Sequence, residues 1–218
     1  MIHIFDVDQT VIKHNCAWYF LREALGAGYI RFSQVYMLFF DWLKYKFGKP
    51  NIDFIENSIK RLTGIEKSAL EQTAEICFQK KIKPNIYAGA AELIKNALSR
   101  GEKVIFATSS FDFMIRPLEN FFGINNSVSS KLEFIENKTT GLIIEESCFG
   151  LKKKTIVEKW LKSNGYNAES ACFYSDSYTD IPLLEFCGKA IAVNPDRFLI
   201  KEAKKRGWEI IYFHKTLK

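Results

Sequence analysis

Five short apolar runs constrain the fold of this 218-residue chain more than any other feature of its sequence. Each is only four or five residues long and rich in β-branched or aromatic side chains; they span residues 2–5, 103–107, 171–174, 190–193 and 209–213. Runs that are apolar almost throughout, instead of alternating with polar residues, are typical of strands in a parallel sheet covered on both faces. We therefore expect at least five strands of this kind.

Helical patterns lie between these runs. Residues 90–98, 155–161 and 199–203 carry apolar side chains at helical spacing, and a glycine that can end the helix follows each within a few residues. Alternation of strand and helix predicts an α/β fold with a doubly wound parallel sheet. In such sheets, ligands bind at the carboxyl ends of the strands. Residues 131–148 alternate in polarity around 137–141, which predicts a β-hairpin.

Residues 14–85 interrupt this alternation. Amphipathic patterns predict helices over 17–25, 32–47, 52–62 and 66–81, with glycines between them. An all-helical stretch between the first two strands indicates an insertion. We therefore predict a core formed by residues 1–13 and 86–218, and an inserted α-helical cap domain formed by residues 14–85.

Composition limits the classes of protein to consider. The net charge of +6 suits an anionic substrate but does not indicate nucleic-acid binding. The five cysteines include no CxxC pair, which argues against a disulfide scaffold or structural zinc and favours reduced thiols in a cytoplasmic protein. The amino-terminal residues lack the pattern of a signal peptide, and Asp41 interrupts the longest apolar stretch, 35–43, so no transmembrane helix is expected. Nothing in the sequence indicates an oligomeric state.

Polar side chains suited to phosphate chemistry occur where the predicted strands end. Residues 6–10 (DVDQT) follow the first strand, 108–110 (TSS) the second and 176–180 (DSYTD) a third, while 152–154 (KKK) precede a helix. Paired carboxylates can bind a divalent cation, or one can act as a nucleophile while the other transfers a proton. Hydroxyl and amide groups at a strand-to-helix turn suit phosphate oxygens. Each motif alone is also typical of an acidic turn, a helix N-cap or a solvated lysine face, so their shared order is the informative feature.

In this order the motifs resemble those of the haloacid dehalogenase (HAD) superfamily of aspartate-nucleophile phosphotransferases. The likeness is closest to its phosphoserine-phosphatase-like branch, which carries a helical cap between the first two motifs. Residues 174–211 (YSDSYTDIPLLEFCGKAIAVNPDRFLIKEAKKRGWEII) are very similar to that branch. The resemblance implies a Rossmannoid core of HAD type and a Mg²⁺-dependent phosphatase that acts on a small phosphomonoester.

The resemblance also implies three catalytic residues. Asp6 would be the nucleophile that forms an aspartyl-phosphate. Asp8 would protonate the leaving alcohol and then activate the hydrolytic water. Family spacing favours Lys153, with Lys152 as the second choice, as the cation that offsets repulsion between Asp6 and the phosphate.

The binding residues implied by the resemblance fall into three groups. The phosphate would contact the nucleophile loop, the residues after the second strand, and the lysine; these residues are Val7, Asp8, Thr108, Ser109 and Lys153. Mg²⁺ would be held by side-chain or main-chain oxygens of Asp6, Asp8 and Asp176. Asp180 and Ser177 would lie behind these residues, where Asp180 steadies the lysine or a metal-bound water.

Three positions depart from the family pattern. Gln9 stands where most members carry glycine or a small residue. Asn15 and Ser58 align best with the charged cap residues that hold the amine and carboxylate of phosphoserine, so phosphoserine itself is not the expected substrate. Arg61 could read an anionic group from a displaced position.

Two alternative functions remain open at this stage. Aromatic residues concentrated at 18–20 and 36–42 could form an apolar roof for a lipid phosphate. This would give a phosphatase of the phosphatidylglycerophosphate type working at a membrane surface, although membrane contact is not favoured. A phosphotransferase, which passes the phosphoryl group to a second alcohol, would need the same motifs.

Overall fold

The computed structural model describes residues 1–29, 59–60, 62–144 and 147–217. Seven strands among them form one sheet, in the order β4-β3-β2-β1-β5-β6-β7. The strands are β1 (Ile2–Phe5), β2 (Lys103–Phe111), β3 (Val128–Ile135), β4 (Lys138–Ile144), β5 (Ala171–Ser175), β6 (Lys189–Val193) and β7 (Glu209–Ile211). Every neighbouring pair is parallel except β3 and β4. This arrangement confirms the doubly wound α/β fold, with β1 at the centre.

The two faces of the sheet form separate hydrophobic cores. Phe5 of β1 and Phe106 of β2 belong to one core, whereas Ile4 and Ile105, the residues just before them, belong to the other. All four residues of β1 are buried. Coverage on both faces explains why the central strands lack polar alternation.

Helices cover both faces of the sheet. The described residues form α1 (Cys16–Gly26), α2 (Lys67–Cys77), α3 (Ala88–Ser99), α4 (Asp112–Phe122), α5 (Gly150–Ser163), α6 (Ile181–Phe186) and α7 (Arg197–Arg206). A π-helical turn, Phe78–Ile82, extends α2. The helix predicted over 32–47 lies outside the described residues, as does most of the one predicted over 52–62.

The first two helices come from the predicted cap but pack against the core. α1 and α2 both contact α4. Phe20 of α1 meets Phe113 of α4 edge to face, with ring centroids 5.3 Å apart. Buried residues of α1 and α2 therefore share one hydrophobic core with the sheet face that carries Phe5. The boundaries of the cap at residues 14 and 85 stay a prediction.

The predicted hairpin is present as β3 and β4 at the edge of the sheet. Its turn lies at Glu136 and Asn137, with φ of 49° and 63°, slightly before the centre that we expected. Positive φ at both positions is typical of the type I′ turn, whose twist matches that of the paired strands.

The boundaries of two elements that carry predicted site residues differ from the sequence prediction. β2 runs to Phe111, so residues 108–110 lie within the strand and not in a turn after it. The pairing of β2 with β3 shifts register between Ala107 and Phe111, which lets the strand bend while it stays extended. Lys152–Lys154 lie in the first turn of α5 and not before it.

Among the described residues, no helix has both the length and the apolar character needed to cross a bilayer.

Candidate active site

The candidate site lies at the carboxyl ends of the central strands. Phe5, the last residue of β1, is level with Phe106 of β2 and Tyr174 of β5. The amide of Asp6 continues this pairing, since it donates to the carbonyl oxygen of Tyr174 at 2.9 Å. Residues that follow these positions on three strands therefore meet at one rim of the sheet.

Lys153 joins two of the carboxylates at this rim. Its Nζ lies 2.9 Å from Asp6 Oδ1 and 2.8 Å from Asp180 Oδ2, and the residue is only 4 % exposed. Lys154, the next residue, directs its Nζ to Glu158 at 2.5 Å instead. The first turn of α5 thus brings the family-favoured lysine to the predicted nucleophile.

Asp180 is held on one oxygen and unpaired on the other. Besides Lys153, its Oδ2 accepts a hydrogen bond from Ser175 Oγ at 2.7 Å. Its Oδ1 is buried without a hydrogen-bond partner among the described residues. Ser177 lies one step further away, because its amide donates to Ser175 Oγ at 3.2 Å and its own hydroxyl contacts Thr179.

Both oxygens of the Asp8 carboxylate accept hydrogen bonds. Its Oδ1 accepts from the amide of Cys16 at 2.7 Å, and its Oδ2 accepts from the hydroxyl of Ser110 at 3.0 Å. Burial raises the pKa of Asp8, although hydrogen bonds from the Cys16 amide, the Ser110 hydroxyl and the Cys16 thiol act in the opposite direction. Neither contact could be predicted from the sequence, since no recognisable motif joins Cys16 or Ser110 to Asp8.

The loop after β1 folds back tightly on itself. The carbonyl oxygen of buried Val7 accepts from the amides of Val11 and Ile12, at 2.9 and 3.0 Å. Gln9 has φ of 60°, a left-handed conformation that favours glycine, and this explains why the family pattern carries a small residue there. Its side chain is exposed, so glutamine fits without a clash.

The remaining predicted residues line the same rim. Thr10, which is fully buried, donates from Oγ1 to Asp176 Oδ1 at 3.4 Å. Thr108 is also buried, and its Oγ1 accepts from the amide of Ser110 at 3.1 Å. Ser109 is only partly buried, and the hydroxyl of Ser130 fixes its carbonyl oxygen at 3.1 Å. Ser109 is therefore the more accessible of the two predicted phosphate-binding residues.

The site carries an excess of buried negative charge. Four carboxyl groups are buried here, those of Asp6, Asp8, Asp176 and Asp180, and buried Lys153 contacts Asp6 and Asp180. Burial raises the pKa of Asp6 to about 7 against the attraction of Lys153. Burial, and then repulsion from Asp6 and Asp180, raises the pKa of Asp176 well above its usual range. Burial alone would lower the pKa of Lys153, but attraction to Asp180 and Asp6 raises it overall.

This donor set fits a magnesium ion. In the described part of the chain, no three side chains of His, Cys, Asp or Glu are grouped as a metal site. Mg²⁺ does not need such a group, because it commonly keeps several waters and uses one or two carboxylates. Asp6 and Asp176 offer two carboxylates, and Asp8 offers a carbonyl oxygen. A divalent cation bound there would relieve the repulsion among the carboxylates.

Replacing Asp176 with asparagine tests this fit through stability. Because folding raises the pKa of Asp176, its ionised form destabilises the fold, increasingly as the pH rises above the carboxyl's ordinary value. We therefore expect Asp176→Asn, at neutral pH without metal, to unfold at a higher temperature than the wild type. Added Mg²⁺ should raise the unfolding temperature of the wild type and have little effect on that of the variant.

Thermal unfolding with and without Mg²⁺ checks this prediction. Asp112→Asn is the matched control, since Asp112 is a partly exposed carboxylate that lies 4.0 Å from Arg116. This variant should respond to Mg²⁺ like the wild type. Equal stabilisation of Asp176→Asn and wild type by Mg²⁺ would exclude Asp176 as a ligand.

Comparison with known proteins gives a consistent result. The family model described as haloacid dehalogenase-like hydrolase matches residues 4–185. A histidinol-phosphatase from Neisseria meningitidis is 30 % identical, over 96 % of this chain and 97 % of its own. The phosphoserine phosphatase SerB1 from Mycobacterium tuberculosis is also 30 % identical, over 94 % of this chain and 68 % of its own.

The solved structures agree on the fold. A protein of unknown function from Bordetella pertussis Tohama I superposes with a TM-score of 0.88 at 24 % identity, over 96 % of this chain and 97 % of that one. At this identity the likeness shows the fold, and the fold it shows is the one described above.

Proposed function

Because this chain belongs to the haloacid dehalogenase-like hydrolase family and is a phosphoric monoester hydrolase, we propose that it cleaves a small phosphomonoester by way of an aspartyl-phosphate on Asp6. The contact that supports this most strongly is the one between Lys153 Nζ and Asp6 Oδ1, at 2.9 Å. A carboxylate that approaches a phosphate dianion is repelled, and a buried cation beside its attacking oxygen offsets that repulsion.

In the first step, Asp6 attacks the phosphorus atom. A bond forms between a carboxylate oxygen of Asp6 and phosphorus, and the bond from phosphorus to the ester oxygen breaks. The leaving oxygen keeps that electron pair and takes a proton from Asp8, so a neutral alcohol departs and Asp8 becomes a carboxylate.

In the second step, water releases the phosphoryl group. Asp8 takes a proton from the water as its oxygen bonds to phosphorus, and the bond between phosphorus and Asp6 breaks with its electron pair returning to Asp6. Inorganic phosphate leaves, and both aspartates regain their starting states. Mg²⁺, when bound by Asp6, Asp176 and the carbonyl oxygen of Asp8, would supply positive charge against the phosphate oxygens.

The phosphate itself is held by groups of this chain. We assign this role to the amide and hydroxyl of Ser109, the hydroxyl of Thr108, the loop at Val7 and Asp8, and Lys153. Ser109 is the most accessible of these residues, and Lys153 already lies against the proposed nucleophile. Asp180 and Ser175 would keep Lys153 in place through the bonds at 2.8 and 2.7 Å.

The substrate proposal follows the relatives' names and one feature of the cap. Phosphoserine and histidinol phosphate are both small phosphomonoesters, and we propose a substrate of that size. The side chain of Asn15 accepts hydrogen bonds from the amides of Ala17 and Trp18 and so caps α1. It is uncharged and engaged, which argues against phosphoserine itself. Ser58 and Arg61 lie outside the described residues.

The proposal extends to the cap and to the location of the protein. Residues 14–85 would form a cap that closes over the site and selects the leaving group, while residues 1–13 and 86–218 form the core. Five free, buried cysteines support a reducing, cytoplasmic location.

A screen of phosphomonoesters with Mg²⁺ tests this function. We expect turnover of soluble small phosphomonoesters, phosphorylated amino alcohols included, with inorganic phosphate as the product. Turnover confined to lipid phosphates in vesicles would contradict the substrate class and support the lipid alternative. Of the aromatic residues on which that alternative depends, Trp18 is partly exposed, and residues 36–42 lie outside the described residues. A phosphorylated alcohol formed from an added acceptor, in place of free phosphate, would show a phosphotransferase.

A further inference from the structure

We propose that Ser110 positions Asp8 for proton transfer, and that the transferred proton resides on Asp8 Oδ2 and not on Oδ1. This inference rests on the proposed function, because it assumes that Asp8 serves the leaving group. Ser110 belongs to the motif at 108–110, but the resemblance assigns roles only to Thr108 and Ser109, and the comparisons assign none to Ser110.

Asp8 Oδ1 faces a group that can only donate a hydrogen bond. The amide of Cys16 donates to it at 2.7 Å, and a main-chain N–H can donate but never accept. Cys16 is the first residue of α1, so its amide has no acceptor within the helix and depends on this carboxylate. Oδ1 therefore remains an acceptor whether or not Asp8 is protonated, and it is the wrong oxygen to carry the proton.

Asp8 Oδ2 faces a group that can donate or accept a hydrogen bond. The hydroxyl of Ser110 lies 3.0 Å from it, and a hydroxyl can either donate or accept. Ser110 can donate to the carboxylate and can reorient its hydrogen when Oδ2 carries a proton. It therefore holds Asp8 in place in both states of the catalytic cycle, which the Cys16 amide could not do at this oxygen.

The surroundings of Ser110 make this contact well defined. Ser110 is only 5 % exposed, so little solvent competes for its hydroxyl. Its amide donates to Thr108 Oγ1 at 3.1 Å, which fixes the backbone beside the predicted phosphate-binding residues. Without the hydroxyl, Oδ2 would lose its contact with Ser110, and the carboxyl group could turn away from the leaving oxygen.

Leaving groups of different basicity test the proposal. The parameter kcat/KM reports the steps up to departure of the alcohol, so it isolates the first proton transfer from the second. An alkyl phosphate needs that proton, whereas p-nitrophenyl phosphate releases a weakly basic phenolate that does not. We expect Ser110→Ala to lower kcat/KM for the alkyl phosphate by on the order of 10-fold or more, and for p-nitrophenyl phosphate by less than about 3-fold. Ser110→Thr, which keeps the hydroxyl, should restore the wild-type ratio of the two values.

Two further variants complete the experiment. Ser127→Ala removes a hydroxyl that accepts from the amide of Phe106, a residue of β2. This variant should change kcat/KM for both substrates equally or not at all. Asp8→Asn should show the same leaving-group dependence as Ser110→Ala, but more strongly. If Asp8→Asn shows that dependence and Ser110→Ala does not, the role of Ser110 is wrong while the proposed function stands. If Asp8→Asn affects both substrates equally, the role of Asp8 in the proposed function fails as well.

Discussion

Asp6→Asn is expected to reduce phosphatase turnover by on the order of 10⁴-fold or more, because it replaces the nucleophilic carboxylate with an amide. An amide oxygen is a far weaker nucleophile than a carboxylate oxygen. The fold should survive, since asparagine can still accept the hydrogen bond from Lys153 and one of four crowded carboxylates is neutralised. Steady-state rates on a substrate from the screen measure the loss of turnover, and the thermal unfolding temperature shows whether the fold survives.

The control for this variant is Asp112→Asn, a partly exposed carboxylate just after β2 that accepts from the amide of Phe113 at 2.7 Å and lies 4.0 Å from Arg116. It should leave turnover within about 2-fold of the wild type, as surface substitutions usually do. Activity of Asp6→Asn close to that of the wild type would remove Asp6 as the nucleophile.

Lys153→Ala is expected to give the second large effect, a loss of turnover of on the order of 10³-fold, by analogy with removal of a charge-stabilising group at other active sites. Its Nζ is the cation that lies against the proposed nucleophile. The same change leaves Asp6 and Asp180 buried without their cation, which should destabilise the fold by about 3–5 kcal/mol. Activity should therefore be measured well below the unfolding temperature of the variant.

The neighbouring lysines are matched controls for this prediction. Lys154 is next to Lys153 in the chain, but it pairs with Glu158. Lys154→Ala should therefore cost little activity. Lys152→Ala should likewise have a small effect. Lys153→Arg keeps the charge and the fold but moves the cation, so it should still lose more than about 10-fold in turnover. Equal losses in the three alanine variants would contradict the choice of Lys153.

The fold could be predicted from the sequence because its central strands are buried on both faces. The runs at 2–5 and 171–174 are apolar almost throughout, with His3 as the exception in the first, and the structure buries every residue of β1 and β5. The meeting of Asp6, Asp176 and Asp180 could be expected as well, because parallel strands end at the same edge of the sheet. Local pattern and topology agree here, so the short motifs were informative in combination.

Other parts of the site depend on contacts that no local pattern encodes. The bond from Ser175 to Asp180 and the bond from Ser110 to Asp8 join side chains whose directions are set by the bend and register of their strands. β2 was predicted to end at residue 107, because polar residues follow, yet it continues to Phe111 through a register shift. Burial of polar residues at a strand end is a tertiary effect, and sequence periodicity does not report it.

Chemical trapping of the intermediate tests the central claim most directly. Borohydride reduces an acyl phosphate, so an enzyme quenched during turnover would carry homoserine where the phosphorylated aspartate had been. We predict that mass spectrometry of the peptide spanning residues 1–13 finds this conversion at position 6, that it requires substrate, and that it is lost in Asp6→Asn. Conversion at a different carboxylate, with Asp6 unchanged in an enzyme that is turning over, would contradict the account.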